Sequence, residues 1–356
     1  MVGLLAALAL RADEIIALPE PNSAAMLAEI RPATGRLNTP KKCPRSIAGR
    51  PAYFDYETDG FIRDDAKSAF RLTFRVFTQL GAGPANQVTR LLLRINQLLR
   101  RRWRMDNPYA YNNGYIDVYL SENGQPGGEQ FFGIDYPTRG PGTNVNVICI
   151  YDLSSFTNPL EMAREVAHEY GHAVLPAIGG FKQPEDWANG YLGEKLFLRW
   201  IRDEISSRKL ESEDAMGLGT TGLDSWLTAQ VNPLVGAAAT NGPNVPLLKQ
   251  KGPAAMAAYH GLVLYMDAIL PKSAAARTMM LIGSTNAWDY PHSCVMAVQE
   301  LDRFTLNVPQ ILKGKPIWIP LGKGIISGTR ILQRKGEWAQ IAPATEPIVV
   351  TPANPD

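Results

Sequence analysis

The stretch Asn158-Pro159-Leu160-Glu161-Met162-Ala163-Arg164-Glu165-Val166-Ala167-His168-Glu169-Tyr170-Gly171-His172 decides how this chain is read. Asn158 is a strong N-cap, Pro159 suits the first helical position, and Glu161 stands where a capping-box acid belongs, so a helix is predicted to start here. Within it, His168 and His172 are one turn and a little apart, so both imidazoles project from one face. Two such nitrogens can share a zinc ion at about 2.0–2.1 Å. Glu169 lies one step round the helix, where the His-Glu-x-x-His pattern assigns it as general base rather than ligand. Just upstream, Asn146 to Tyr151 (Asn-Val-Ile-Cys-Ile-Tyr) reads as a strand, giving the strand-then-capped-helix context that the pattern needs.

A third ligand is sought on the next predicted helix, about 184–208. Trp187, Tyr191, Glu194, Leu198 and Ile201 form one stripe on it at spacings of three and four. One carboxylate in an otherwise apolar stripe needs a strong partner, because burying it unpaired costs several kcal/mol. A zinc ion held by His168 and His172 is such a partner; an ordinary buried salt bridge, for instance with an arginine of the first helices, is the alternative. Glu185 and Asp186 are rival ligands, set aside as acids at the helix start.

Working outward, Asp64 to Leu80 and Pro84 to Met105 carry apolar residues at helical spacing, broken by Gly81-Ala82-Gly83-Pro84. Tyr115 to Leu120 alternates as a strand and is followed by a Gly/Pro-rich hairpin region. Pro159 to Phe304 reads as helical almost throughout. Beyond Val308, Pro316 to Pro320, Ile325 to Arg334 and Glu337 to Ile341 look like short strands between turns. The class is therefore α+β. The expected organisation is a signal-like stretch over 1–12, an extended segment over 13–50, a metal-binding domain over 51–305, a β-rich module over 308–345 and a Pro-rich tail over 346–356.

These residues resemble the gluzincin metallopeptidases. His168, Glu169 and His172, with Glu194 downstream on a following helix, are similar to the ligand and base pattern of thermolysin and aminopeptidase N, and Trp187 to Glu194 resembles the aminopeptidase stretch that leads into the glutamate ligand. The likeness spans about Tyr115 to Leu270. It implies a zincin-like core with a small mixed sheet, an active-site helix and a helical subdomain. It also implies one catalytic Zn2+ held by His168, His172 and Glu194, and a peptide or protein substrate. Substrate is expected to lie antiparallel along the strand near Asn146 to Tyr151, on an open edge. The aminopeptidase Gly-x-Met-Glu-Asn stretch is absent, and Leu198 stands where a thermolysin-like aspartate would orient the first histidine. In this family a later tyrosine or histidine stabilises the oxyanion; Tyr259 is the candidate here, with His260 as the alternative, and Tyr259 also fits a core stripe with Met256, Val263, Met266 and Leu270.

Composition narrows the partners. With 36 basic and 34 acidic residues the chain lacks the charge excess of a nucleic-acid binder or a membrane-surface protein. Arg100, Arg101, Arg102 and Arg104 close a predicted helix, where cations complement the dipole. Cys43, Cys149 and Cys294 contain no Cys-x-x-Cys pair, which leaves nitrogen and oxygen as metal ligands; one bridge among the three is compatible with the sequence. Met1 to Leu10 resembles a short signal-peptide core, pointing to a secreted or periplasmic protein, although it lacks a basic leader. No stretch is long enough to cross a bilayer as a helix. Two other readings use the same residues: a zinc-stabilised binding or scaffold protein, and a protein attached to wall or matrix through its basic C-terminal module. Oligomeric state is not legible in the sequence.

Overall fold

The computed structural model describes residues 14–17, 27–32, 35–64, 67–135 and 143–353. They form a mixed α+β protein that divides into two compact units, one comprising residues 1–97, 107–157 and 209–216 and the other residues 98–106, 158–208 and 217–356. The signal-like stretch over 1–12 lies outside the described residues. Among those described, no helix is long and apolar enough to cross a membrane.

The first unit contains strands β1 (Glu14–Ala17), β2 (Leu27–Arg31), β3 (Lys41–Ile47), β4 (Arg50–Phe54), β5 (Tyr56–Arg63) and β6 (Arg71–Thr78), then most of helix α1 (Ala82–Trp103), then β7 (Ile116–Leu120), β8 (Gly127–Asp135) and β9 (Thr143–Tyr151). Seven of these build one mixed sheet in the order β1-β2-β5-β6-β7-β9-β8, and β3 with β4 forms a separate hairpin. Strands β6, β7 and β9 run parallel, with α1 as the crossover from β6 to β7; β8 returns antiparallel at the edge. Helix α1 lies against β5 at Gly60, where an added Cβ would stand 2.8 Å from Thr89 Cγ2. On the other face Phe54, Phe77 and Tyr119 pack with ring centroids 5.0 and 5.1 Å apart.

This unit departs from expectation in three places. Asp64 to Leu80 contains a strand, not a helix: Phe74 and Phe77 stand on opposite faces of β6, and both are buried because the sheet is covered on each side. Spacings of three and four arise there by coincidence, and the β-branched Thr73, Val76 and Thr78 favour the strand. Second, the lead-in before residue 51 is not merely extended, since it supplies two strands of the main sheet and the hairpin strand β3. Third, the strand near Asn146 to Tyr151 has no open edge. It is hydrogen-bonded to β7 on one side and to β8 on the other, so the edge belongs to β8.

The second unit is largely helical, with α2 (Pro159–Val174), α3 (Asn189–Ser206), α4 (Thr220–Gln230), α5 (Asn232–Asn241), α6 (Val245–Leu248), α7 (Pro253–Ile269), α8 (Lys272–Met280) and α9 (Tyr290–Gln299). The short strands β10 (Phe304–Thr305), β11 (Ile317–Pro320), β12 (Ile325–Ser327), β13 (Ile331–Lys335), β14 (Trp338–Ile341) and β15 (Val349–Thr351) follow. They make two three-stranded sheets, β10-β15-β12 and β11-β14-β13. The segment over 346–356 is thus more than a tail: β15 is the central strand of its sheet, and β10 draws residues 304–305 into the same module.

Helices α2 and α3 cross at two glycines. A Cβ on Gly193 would stand 2.5 Å from Gly171 Cα and 2.9 Å from the Ala167 carbonyl oxygen, so no larger residue fits without the helices separating. The far end of α3 is held by ion pairs. Arg101 and Arg102, at the end of α1, both bond the buried Glu204, and Asp267 of α7 accepts from Arg199 and, at 3.0 Å, from Trp200 Nε1. Arg101 and Arg102 of the arginine cluster therefore have charged partners on α3 as well as the helix dipole.

Candidate metal centre

Helix α2 begins as its sequence dictates, with Asn158 Oδ1 accepting from the backbone N–H groups of Leu160 and Glu161 at 3.0 and 3.1 Å. Its buried face carries Glu169, Tyr170 and Gly171, and the two histidines sit at its margin. His168 Nε2 and His172 Nε2 are 3.2 Å apart.

The third donor is Glu185. Its Oε2 lies 3.1 Å from His168 Nε2 and 3.3 Å from His172 Nε2. Among the described residues, these three form the cluster of histidine, cysteine or acidic groups whose donor atoms converge closely enough to hold a metal ion. Glu194 does not join it. Its carboxylate is buried as the stripe predicts, but it accepts from Arg164 Nε on α2 and lies 3.9 Å from Lys195 Nζ. The expectation of a buried acid with a strong partner is met by an arginine, and the salt-bridge alternative describes what the structure holds.

The exchange has a local cause. Helix α3 starts at Asn189 rather than near Pro184, so Glu185 is not a capping residue but part of the loop ahead of the helix. That loop is pinned by a β-bridge between Gly179 and Trp187 and by the indole of Trp187, which lies over Gly179. Ala188 N–H donates to the Ile178 carbonyl at 2.8 Å, and Lys182 N–H to the Lys251 carbonyl at 2.9 Å. The excursion is anchored at both ends and presents Glu185 to the imidazoles.

Three further residues shape the centre. Asn189 Oδ1 lies 2.8 Å from His172 Nδ1, while the Asn189 amide nitrogen donates to the carbonyls of His172 and Leu175 at 3.4 and 3.3 Å. With the amide so oriented, His172 Nδ1–H is the donor, and Nε2 is the nitrogen turned toward Glu185 and available to a metal. Gly190 is the second: a Cβ there would stand 2.3 Å from His172 Nε2 and 2.5 Å from His168 Nε2, so the backbone of α3 closes directly over the donor atoms. The third, Tyr191, sets its ring edge-on to His168 with centroids 4.6 Å apart. Asn189, Gly190 and Tyr191 all fall in the Trp187 to Glu194 segment, but only the fold assigns them these contacts.

Electrostatics separates the two carboxylates. Burial pushes both up, but hydrogen bonds from His168 and His172 overcome it at Glu185 and pull that group down to about 2. Glu169 lacks such bonds, and burial drives it up to about 7 against the opposing charge of the imidazoles. His168 is held above its ordinary value: burial disfavours its charged form, and the Glu185 hydrogen bond outweighs that. One carboxylate is thus fixed as an anion, and its neighbour is able to carry a proton. Glu169 Oε2 and Glu185 Oε1 are both buried and without a hydrogen-bond partner among the described residues.

The oxyanion candidates both lie on α7. Tyr259 is fully buried in α7, its ring against Tyr290 at 5.6 Å, with its hydroxyl unpartnered among the described residues. It belongs to the core stripe. His260 is also buried, and its Nε2–H donates to the Ala188 carbonyl at 2.8 Å. Burial holds it down at about 3, so it stays neutral and acts as an anchor for the start of α3. His292, by contrast, is exposed and lies 3.2 Å from Glu337.

The chain matches no known protein family and no curated protein.

Proposed function

We propose that this chain is a zinc-dependent peptidase whose ion is held by His168 Nε2, His172 Nε2 and Glu185 Oε2. The observation that carries the reading is the triangle of donor atoms, with edges of 3.1, 3.2 and 3.3 Å. Ligands at about 2.0–2.1 Å from a tetrahedral centre stand about 3.3–3.4 Å from one another, so the triangle has the size of one face of a zinc tetrahedron. Two nitrogens and one carboxylate oxygen suit zinc, and the ionised Glu185 supplies the charge that the ion requires. Three protein donors rather than four are the ligand count of a catalytic rather than a structural zinc site.

A zinc ion bound here supplies Lewis-acid activation of water and of a carbonyl oxygen. Glu169 takes the proton of the attacking water on its unpartnered carboxylate oxygen and returns it to the leaving amine of the cleaved bond. Asn189 holds the His172 tautomer that leaves Nε2 bare. Peptide as the substrate class follows from the His-Glu-x-x-His pattern with its glutamate base. In this proposal the zincin-like core differs from the gluzincin pattern, because the third donor comes from the loop before α3 rather than from α3 itself.

The test pairs metal analysis with hydrolysis of a peptide library. The purified chain should hold close to one zinc per molecule and cleave the library, and chelation should abolish cleavage. Glu169→Gln should retain the zinc and lose hydrolysis by about 10²–10⁴-fold. Stoichiometric zinc without hydrolysis by the unaltered chain would replace this reading with that of a zinc-stabilised binding protein, and full activity after chelation would exclude the metal mechanism.

A further inference from the structure

Two of the three cysteines, far apart in sequence, meet in the first unit. Cys43 Sγ on β3 and Cys149 Sγ on β9 lie 3.9 Å apart, both buried. The approach is set by the surrounding packing. The β3–β4 hairpin seats Cys43, Ile47, Ala52 and Phe54 on the sheet in one cluster with Phe77, Tyr119, Val147 and Cys149. Arg45, two residues from Cys43, bonds Glu129 of β8 and stacks its guanidinium over Phe131 at 4.6 Å. The hairpin is therefore clamped in the register that brings the two thiols together.

We propose that Cys43 and Cys149 are an oxidisable pair that forms an intramolecular disulfide, bolting the β3–β4 hairpin to the central sheet. The sulfurs must close from 3.9 Å to the bonded distance of about 2.05 Å. The backbone at Cys43 can accommodate this, because the β3–β4 ladder is interrupted between Lys42 and Ser46, a span that includes Pro44. Cys43 is the attacking group: the hydrogen bond from Cys149 holds its thiol below the ordinary value despite burial, whereas the same contact and burial raise Cys149.

With glutathione disulfide as oxidant, the Cys43 thiolate attacks one glutathione sulfur, forming a Cys43–glutathione bond and releasing one glutathione thiolate. The Cys149 thiolate then attacks Cys43 Sγ, forming the Cys43–Cys149 bond and releasing the second. The two cysteines lose two electrons, the oxidant gains them, and the two thiol protons end on two molecules of glutathione. Access is through opening of the hairpin, in which every residue of β3 and β4 other than Cys43, Ile47, Ala52 and Phe54 is exposed or half-buried.

Cys294 provides the internal control, since it lies on α9 in the other unit and is fully buried there. The folded full-length chain is equilibrated in a glutathione redox buffer, quenched with an alkylating agent, denatured, and analysed by thiol count and peptide mapping. The expected result is loss of two of the three thiols, recovery of both on reduction, and joined peptides containing Cys43 and Cys149. Cys294→Ala should still form the bridge, and the oxidised form should melt at a higher temperature than the reduced one. Cys43→Ala should form no intramolecular bridge; if that variant does not fold, the Cys294→Ala result decides alone. Retention of all three thiols at a poise that oxidises a control dithiol overturns the proposal. So does a terminal glutathione adduct on either cysteine in place of the bridge.

Discussion

Asn189 Oδ1 and His172 Nδ1 lie 2.8 Å apart, and this contact determines which imidazole nitrogen faces the metal position. The asparagine is fixed in turn, because its amide nitrogen bonds two carbonyls at the end of α2. Outer partners of this kind commonly contribute 10–100-fold in metal affinity. Asn189→Ala should therefore bind zinc about 10–100-fold more weakly in competition with a chromophoric chelator, whereas Asn189→Asp, which keeps the acceptor, should bind close to normally. Equal affinity in the alanine variant would show that the contact orients nothing.

The two glutamates make opposite predictions. Glu185→Ala removes a donor and should lose the stoichiometric zinc. Glu194→Ala should keep it, since that carboxylate is engaged by Arg164. Arg164 is 40% exposed, so solvent can take over its charge and the stability cost should be about 1 kcal/mol. Atomic absorption on both variants, with urea unfolding of the second, separates the assignments. Zinc lost from Glu194→Ala and retained by Glu185→Ala would reverse them.

Glycine substitutions on α3 should dissociate binding from stability. Gly190→Ala drives a methyl group into both imidazole nitrogens and should abolish zinc binding while leaving most of the fold in place. Gly193→Ala meets the backbone of α2 instead, so it should cost about 1–3 kcal/mol in stability. Denaturation midpoints and metal content, measured on the same samples, test the separation.

A pH dependence is expected within the first unit. Asp59 on β5 is pushed up to about 7 by burial and by the neighbouring Glu57, with Asp117 adding to the push and Arg75 opposing it. In the unfolded chain the same group titrates near 3.9, so between about 4 and 7 the folded state binds a proton that the unfolded state releases. Asp59 therefore favours folding at the acidic end of that window, and its contribution falls as pH rises through it. Asp59→Asn should flatten this part of the stability profile and melt above the unaltered chain at pH 8. An unchanged difference between the two proteins from pH 4 to pH 8 would rule the effect out.

Several elements are legible in the sequence. Helix α2 was readable from Asn158, Pro159 and the histidine spacing because capping and side-chain periodicity act within a turn or two of chain. The burial of Glu194 followed from its stripe for the same reason. Strand β6 is not legible as a strand, because a strand covered on both faces loses its alternation and its phenylalanines then mimic helical spacing.

Sequence alone therefore determined the pair His168 and His172, the neighbouring Glu169 and the helix that presents them, all of which depend on local geometry. Tertiary structure alone decided that Glu185 rather than Glu194 completes the donor triangle, that Asn189 contacts His172, and that His260 bonds the Ala188 carbonyl just ahead of α3. Each of these depends on where a loop returns and where a neighbouring helix begins. Such long-range placements are set by packing at Gly171, Gly190 and Gly193, which no residue spacing records.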